Sequence, residues 1–143
     1  MSTSLSFQDF FVPENNLYFI VSANEPAYKV AWAMNKFLKM SFQRVKDHEL
    51  KIHHQVHYFE LFEFEDEAEQ IWKLIKTKST KGAFIADKNI SMFDYIIILQ
   101  NPINGKKTIG EFIRKIRSIV MIRLIQELRF EMFSGKTIYN LPI

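Results

Sequence analysis

The chain has 143 residues, a length that one domain can fill without disulfides or metal ions to stabilise it. Hydrophobic residues make up 48% and charged residues 24%, and the 4 Gly and 4 Pro are too few for long disordered linkers. The absence of cysteine excludes disulfides, thiolate catalysis and thiolate zinc sites. The net charge of +3 is too small to predict nucleic-acid binding unless the basic residues cluster.

The N-terminal stretch MSTSLSFQDFFVPENN lacks the basic start and apolar run of a secretory signal. No run approaches the roughly 18 apolar residues that a membrane span needs. With the lack of cysteine, these features predict a soluble, cytoplasmic protein. We expect residues 1–143 to form a single α+β domain, with residues 1–16 as a candidate for a loosely ordered arm.

The first half of the chain predicts a strand and then a helix. Leu17–Val21 is a short run of aromatic and aliphatic residues, typical of a strand covered on both faces. Asn24 resembles a helix N-cap, and Glu25 and Pro26 suit a first helical turn. The spacing of the following core positions predicts an amphipathic helix lying on a sheet; they are Ala27, Val30, Ala31, Met34, Phe37, Leu38 and Ser41.

The middle of the chain predicts strands. Lys51–Glu67, with the sequence KIHHQVHYFELFEFEDE, is rich in Val, Tyr and Phe, and Tyr58–Lys78 suits a hairpin with its turn at Asp66–Gln70. Phe93–Gln100 contains five consecutive apolar residues, Tyr95–Leu99. Such a run leaves neither face for water, which predicts a strand in the middle of the sheet.

The last third of the chain predicts one long helix. Thr108 and Glu111 have the spacing of a capping box, and Gly135 suits a C-cap. A helix running to about Phe133 would span about 38 Å. The predicted fold is therefore α+β: a mainly antiparallel sheet with a helix in the N-terminal half and a long C-terminal helix packed on it.

Part of the sequence resembles a known family. Tyr28–Ile52, with the sequence YKVAWAMNKFLKMSFQRVKDHELKI, resembles the corresponding stretch of the IPExxVDY family of small, uncharacterised bacterial proteins. The matching positions include a Trp, an Asn-Lys pair and an Arg, which here are Trp32, Asn35, Lys36 and Arg44.

The family signature maps onto Phe84–Leu99 and is only half present. Asp94 and Tyr95 match its end, but Ile85, Ala86 and Asp87 stand where the family has Ile-Pro-Glu. The resemblance spans roughly Leu17–Leu99. It implies a shared α+β architecture and no assigned activity or cofactor.

The histidines and glutamates of Lys51–Glu67 raise the question of a metal or catalytic site. On a helix, His53 and His57 would share one face, as zinc ligands do. On a strand they lie some 13 Å apart, too far for one ion. Glu60, Glu63 and Glu65 suit general acid or base catalysis, or an exposed strand surface. We favour the strand in both cases, and predict no metal, no cofactor and no catalytic residue.

Three residues are candidates for a ligand-binding cleft. Trp32 and Asn35 lie beside the apolar stripe of the first helix, where they suit either the border of a small pocket or packing along the sheet edge. Asp94 precedes the buried strand. A carboxylate there suits a base or ligand at the rim of a cleft, or a turn cap that accepts neighbouring N–H groups.

The predicted C-terminal helix offers two further kinds of site. Its basic residues suit phosphate contacts, although Glu111, Glu127 and Glu131 interrupt them; they are Lys106, Lys107, Arg114, Lys115, Arg117, Arg123 and Arg129. Its apolar residues exceed what one core face needs. Either the N-terminal segment Phe7–Val12 or a second copy could cover them, and we favour an interface formed by Ile119, Ile122, Ile125, Leu128 and Met132.

These observations favour a non-enzymatic interaction module that forms a homodimer through its last helix and binds an unidentified protein. A ligand-binding protein or small enzyme with a cleft at Trp32, Asn35 and Asp94 is the alternative. Nucleic-acid binding through the basic helix is a weaker one, and no membrane association is predicted.

Overall fold

The computed structural model describes residues 16–52, 54–79, 82–83 and 93–128. In chain order these residues form β1 (Leu17–Ala23), α1 (Ala27–Leu38), β2 (Gln43–Arg44), β3 (His48–Ile52), β4 (Gln55–Phe59), β5 (Leu61–Glu65), β6 (Ile71–Lys76), β7 (Lys78–Ser79), β8 (Gly82–Ala83), β9 (Tyr95–Gln100), α2 (Gly105–Ile116) and β10 (Ile122–Glu127).

The main sheet has six strands in the order β10-β1-β9-β6-β5-β2, and every neighbouring pair is antiparallel. Two short hairpins, β3–β4 and β7–β8, form separate two-stranded sheets. The prediction of an α+β fold with a mainly antiparallel sheet is confirmed.

The predicted central strand is in the middle of the main sheet. β9 lies between β1 and β6, where Ile97 pairs with Phe19 on one side and Leu74 on the other. Every side chain of Tyr95–Leu99 is buried, so both faces of this strand are covered. Burial of each large apolar side chain contributes about 1.5–3 kcal/mol, which makes β9 the centre of the fold.

Both helices pack on the same face of the sheet. The α1 side chains Val30, Ala31 and Met34 share one apolar core with residues of the sheet and of α2. In that core the ring of Phe112 on α2 lies 4.9 Å from Phe19 and 5.0 Å from Trp72, measured between ring centroids. The predicted amphipathic helix is therefore confirmed for α1. Phe37 and Ser41 are exceptions, since both were assigned to the core stripe but are exposed, and Ser41 lies beyond the end of the helix.

A second apolar core covers the opposite face of the sheet. Its buried members are Tyr18, Ile20, Phe59, Leu61, Ile75, Phe93, Ile96, Ile98 and Leu128. Leu50 from the β3–β4 hairpin packs against this core. Alternation along β9 thus sends Ile97 to the helical face and its neighbours to the other face, as the pleat of a strand requires.

The start of α1 differs from the prediction. The helix begins at Ala27 after Pro26, whose φ of −60° and ψ of 157° are extended, and no side chain caps its first N–H groups. Asn24 is exposed and does not have the capping role predicted for it. The hydroxyl of Tyr95 instead donates a hydrogen bond to the carbonyl oxygen of Glu25, which connects the central strand to the approach of the helix.

The prediction of a long C-terminal helix is wrong. α2 ends at Ile116, and after a turn the chain forms β10, an antiparallel partner of β1. Ile122 and Ile125 are three residues apart, which is a spacing typical of one face of a helix, but here a β-bulge accounts for it. The register shifts between Ser22 and Ala23, so a bulge adds one residue to β10 and turns both side chains to the same core.

The predicted capping box is also wrong. α2 begins at Gly105, three residues before Thr108, and its N-cap is Asn104 with a left-handed φ of 52°. The hydroxyl of Thr108 donates to the carbonyl oxygen of Ile103 at 2.6 Å and does not pair with Glu111. The hydroxyl thus holds the loop before the helix rather than the first helical N–H groups.

The predicted hairpin is present between β5 and β6, with its turn at Asp66–Gln70. The chain leaves the β3–β4 sheet at Glu60 and enters the main sheet at Leu61. Phe59 and Leu61 are two residues apart, so strand alternation turns both side chains to the second core, while Phe62 faces the helical core. Within the described residues, neither helix has the length and apolar character needed to cross a membrane.

Candidate functional site

The outward side of the two helices is strongly basic. We call the exposed side of residues 25–39 and 105–117 the helical surface. Its eight exposed basic side chains are Lys29, Lys36, Lys39, Lys106, Lys107, Arg114, Lys115 and Arg117. Two acidic residues, Glu25 and Glu111, lie in the same ranges. Among the described residues, one of the eight cations forms an ion pair, Lys29 with Glu25 at 3.5 Å.

Acidic residues concentrate in another part of the fold. Residues 47–69 carry one basic residue, Lys51, and eight acidic ones: Asp47, Glu49, Glu60, Glu63, Glu65, Asp66, Glu67 and Glu69. The small net charge of +3 therefore results from two regions of opposite charge that largely cancel each other. Lys39, at the end of α1, lines a cleft of about 490 Å³ with Glu65, Asp66 and Glu67, and this cleft marks the border between the two regions.

Exposed aromatic side chains lie among the cations of α1. Tyr28, Trp32 and Phe37 are 61%, 53% and 56% exposed. Tyr28 and Trp32 are one helical turn apart, as are Trp32 and Lys36, so these three side chains form a row along the helix. Burying one such ring stabilises a protein by about 1.5–3 kcal/mol, and clustered exposed rings of this kind are typical of binding surfaces.

The side chains of this row contact each other. The ammonium nitrogen of Lys36 lies 4.9 Å from the centroid of the Trp32 ring and 5.6 Å from that of Phe37. The two rings meet edge to face at 6.3 Å. A cation within about 6 Å of an aromatic face is attracted by the π electrons of the ring. An exposed aromatic ring and a positive charge thus lie side by side at the surface of α1.

A small cavity opens between the two helices. It encloses about 210 Å³ and is lined by Leu38, Met40, Gln70, Trp72, Thr108, Glu111, Phe112 and Lys115. The indole nitrogen of Trp72 already donates to Asp66 at 2.9 Å. Because that group is satisfied, the cavity presents apolar rings in its interior and polar groups from Thr108, Glu111 and Lys115. It gives the helical surface an indentation beside the C-terminal end of α1.

Asn35, predicted as a ligand-binding residue, holds the chain after α1. Its amide nitrogen donates to the carbonyl oxygen of Phe42 at 3.0 Å, and its amide oxygen accepts from the N–H of Phe42 at 2.7 Å. This reciprocal pair closes the turn that follows Lys39, whose φ of 56° is left-handed. Both polar atoms of the Asn35 side chain therefore stabilise the exit from the helix.

Asp94, the second predicted ligand residue, directly precedes β9, and its carboxylate contacts the C-terminal end of β1. Its Oδ2 accepts from the N–H of Ala23 at 3.0 Å and from the hydroxyl of Ser22 at 3.4 Å, and its Oδ1 lies 3.9 Å from the ammonium of Lys78. Asp94 also lines an open cleft of about 390 Å³ with Lys76 and Lys78.

The cleft beside Asp94 does not include the other two predicted ligand residues. Its lining residues are Ala23, Asn24, Glu25, Pro26, Lys76, Lys78, Asp94 and Tyr95. Trp32 belongs to the exposed row of α1, and Asn35 to the turn after it. The structure therefore places the three residues at separate positions.

Burial raises the pKa of the Tyr95 hydroxyl, and the carboxylate of Asp94 raises it further, so this group stays neutral and donates its hydrogen bond.

The residues predicted for a dimer interface lie inside the chain. Ile119, Ile122, Ile125 and Leu128 are buried in the two cores, and Met132 is outside the described residues. Two of these side chains, Ile122 and Ile125, belong to the edge strand β10, so within the described residues they do not form an apolar face of a long helix. Val120 and Leu124, which flank them, are the exposed apolar residues of this segment.

The histidine-rich stretch forms the β3–β4 hairpin. His57 is buried on β4, stacks on Phe59 at a centroid distance of 6.2 Å, and leaves its Nδ1 without a hydrogen-bond partner. His54 is exposed in the turn with a left-handed φ of 66°, and His53 is outside the described residues. In the described part of the chain, no three His, Asp or Glu side chains converge as metal ligands would.

The basic residues predicted on one long helix are distributed over two elements. Lys106, Lys107, Arg114, Lys115 and Arg117 belong to the helical surface, whereas Arg123 on β10 donates to the hydroxyl of Ser22 at 3.3 Å. Arg129 is outside the described residues. The sequence analysis missed Tyr28, Lys29 and Lys36 as site residues, although the spacing of Tyr28, Trp32 and Lys36 was a signal for them.

Comparison with models of known families, with curated proteins and with solved structures found no match to this chain.

Proposed function

We propose that the protein is a non-enzymatic binding module whose helical surface binds an anionic macromolecule. The observation that carries the proposal is the charge of that surface: eight exposed cations against two carboxylates, with three exposed aromatic rings among them. Cations that lack carboxylate partners attract a polyanion, and the release of its counterions favours binding. The resemblance to the IPExxVDY family implies no activity and adds nothing to this argument.

The polar residues predicted for a small-molecule cleft support this choice indirectly. The polar atoms of the Asn35 side chain pair with backbone groups, and the Asp94 carboxylate accepts from Ala23 and Ser22. A general acid, base or ligand needs free hydrogen-bonding capacity towards a substrate. Self-association was predicted through five residues, of which four are buried and Met132 is outside the described residues, so the proposal does not use it.

The proposal can be tested by measuring polyanion binding with matched variants. Labelled single-stranded oligonucleotide, heparin and poly-glutamate serve as probes in fluorescence anisotropy at several salt concentrations. The variant Lys36→Gln/Lys107→Gln removes two charges from the helical surface. The control Lys46→Gln/Lys51→Gln removes two exposed charges that lie outside it.

We expect at least one probe to bind, with an affinity that falls as salt rises. If the probe is a single-stranded nucleic acid and both lysines contact phosphates, the slope of log K against log salt should fall by about 1.4 in the helical variant. The control should keep the wild-type slope. Failure of all three probes to bind, or equal weakening by the two variants, would overturn the proposal.

A further inference from the structure

We infer that the anionic partner is a single-stranded nucleic acid whose unpaired bases stack on the aromatic row of α1. This inference rests on the proposed function and specifies the partner of the same surface. It is carried by the position of Tyr28 and Trp32 in one row with Lys36, because an aromatic ring can stack on the base of a nucleotide while the ammonium binds its phosphate.

The cations alone do not distinguish between polyanions. An acidic protein segment and a nucleic-acid backbone would both be attracted to the helical surface. The aromatic rings make the distinction, because carboxylate side chains gain little from a flat ring, whereas every nucleobase has a π face that stacks on one. An exposed ring that alternates with lysines is therefore better matched to a base and its phosphate than to an acidic peptide.

The exposure of the rings favours an unpaired strand over a duplex. Bases in a duplex are already stacked on each other and show only their edges in the grooves. Recognition by aromatic stacking therefore requires bases that are free of pairing, as in single-stranded DNA or RNA. Tyr28 and Trp32 are more than half exposed, so a base can reach each ring without unfolding the helix.

Lys36 has a specific part in this model. Its ammonium lies over the Trp32 ring at 4.9 Å, where it lacks a carboxylate partner among the described residues. A base that stacks on the ring displaces the ammonium, and the phosphate of the same nucleotide then provides an oxygen acceptor for it. Binding thus exchanges a cation–π contact for one stacking contact and one charge-assisted hydrogen bond.

The two tryptophans make this model directly measurable. Trp32 is 53% exposed, whereas Trp72 is 6% exposed and its indole N–H is bound to Asp66. A stacked base should quench the emission of Trp32 and leave that of Trp72 unchanged. The variant Trp32→Phe provides the Trp72 signal alone, and it keeps a ring on which a base can stack.

The decisive experiment compares poly-uridine, poly-deoxythymidine and poly-glutamate of matched charge, with anisotropy and tryptophan emission recorded in the same titration. Trp32→Ala removes the ring, and Tyr58→Ala removes an equally exposed ring on β4 as the control. Alanine is the best helix former, so the first variant should keep α1 intact, which circular dichroism checks.

We expect both single-stranded polymers to bind more tightly than poly-glutamate and to quench Trp32. Trp32→Ala should weaken their binding by about 5- to 150-fold without changing the salt slope, since stacking carries no charge. Tyr58→Ala should bind as the wild type does. Equal affinity of Trp32→Ala and wild type for the single strands, or poly-glutamate binding as tightly as they do, would overturn the stacking model. In either case salt-dependent binding that is lost in Lys36→Gln/Lys107→Gln would leave the proposed function intact.

Discussion

The ammonium of Lys36 lies 4.9 Å from the centre of the Trp32 ring, on a helix face open to solvent. The only other tryptophan, Trp72, is buried. The emission of Trp32 therefore reports the electrostatic potential at the helical surface. Since Lys29 and Lys36 are both on its helix, that potential should be positive.

Our first prediction concerns ionic quenching of this emission. The ratio of the iodide to the caesium quenching constant should be larger for the wild type than for a free tryptophan derivative, because a positive local potential concentrates anions and repels cations. The double variant Lys29→Met/Lys36→Met should lower the iodide constant, and raised ionic strength should also lower it through screening. Lys46→Met/Lys51→Met is the control. A wild-type ratio no larger than that of the free tryptophan derivative would contradict a positive surface at Trp32.

Our second prediction is that Asp94 is structural. Asp94→Asn keeps an oxygen that can accept from the N–H of Ala23, so it should lose about 0.5–2 kcal/mol of the free energy of unfolding. Asp94→Ala leaves that N–H without its acceptor and should lose about 1–3 kcal/mol. Urea denaturation measures both. A folded Asp94→Asn protein of full stability that lost a cellular phenotype would instead indicate an active site.

Our third prediction uses the pH dependence of Asp66. Partial burial raises the pKa of the Asp66 carboxyl, but hydrogen bonds from the Trp72 indole, Gln70 and Ala68 outweigh it and lower the pKa below 3.8. A pKa that is lower in the folded state means that the carboxylate stabilises the protein above the unfolded pKa, about 3.9. This stability is lost as the pH falls through the folded pKa.

Asp66→Asn should therefore be less stable than the wild type by about 1–3 kcal/mol at about pH 7. The difference should shrink as both proteins are unfolded at progressively lower pH, below about pH 4. Glu67→Gln, which removes an exposed carboxylate of the same turn, is the matched control. A difference between Asp66→Asn and wild type that stayed constant down to acid pH would contradict the depressed pKa.

Our fourth prediction concerns the residues that the sequence predicted to form a homodimer interface. Ile125 is 3% exposed, so Ile125→Glu should place a carboxylate in the core and cost several kcal/mol, enough to unfold the chain. Leu124→Glu, at the exposed neighbour, should remain folded. Light scattering together with circular dichroism distinguishes the outcomes. A folded Ile125→Glu protein that had changed only from dimer to monomer would restore the interface.

The central strand could be predicted from the sequence because Tyr95–Leu99 is short, apolar at every position and rich in β-branched residues, which favours a strand covered on both faces. The C-terminal strand could not. A bulge at β10 makes Ile122 and Ile125 share a face, and this spacing of three is also that of a helix.

The candidate site was only partly accessible from the sequence. The row of Tyr28, Trp32 and Lys36 follows from helical spacing alone, and so does the excess of cations in each helix. The combination of the two helices into one basic surface does not follow from the sequence, because it depends on α1 and α2 packing on the same face of one sheet. The pairing of Asn35 with Phe42 was also inaccessible, since it depends on the left-handed turn at Lys39.

The most direct test of the helical surface as the binding surface is amide chemical-shift mapping with a short single-stranded oligonucleotide. The account predicts that the largest shifts fall in residues 28–39 and 106–117 and at the Trp32 indole N–H, while the acidic residues 60–69 change little. Shifts centred on residues 60–69, or on the cleft beside Asp94, would contradict it.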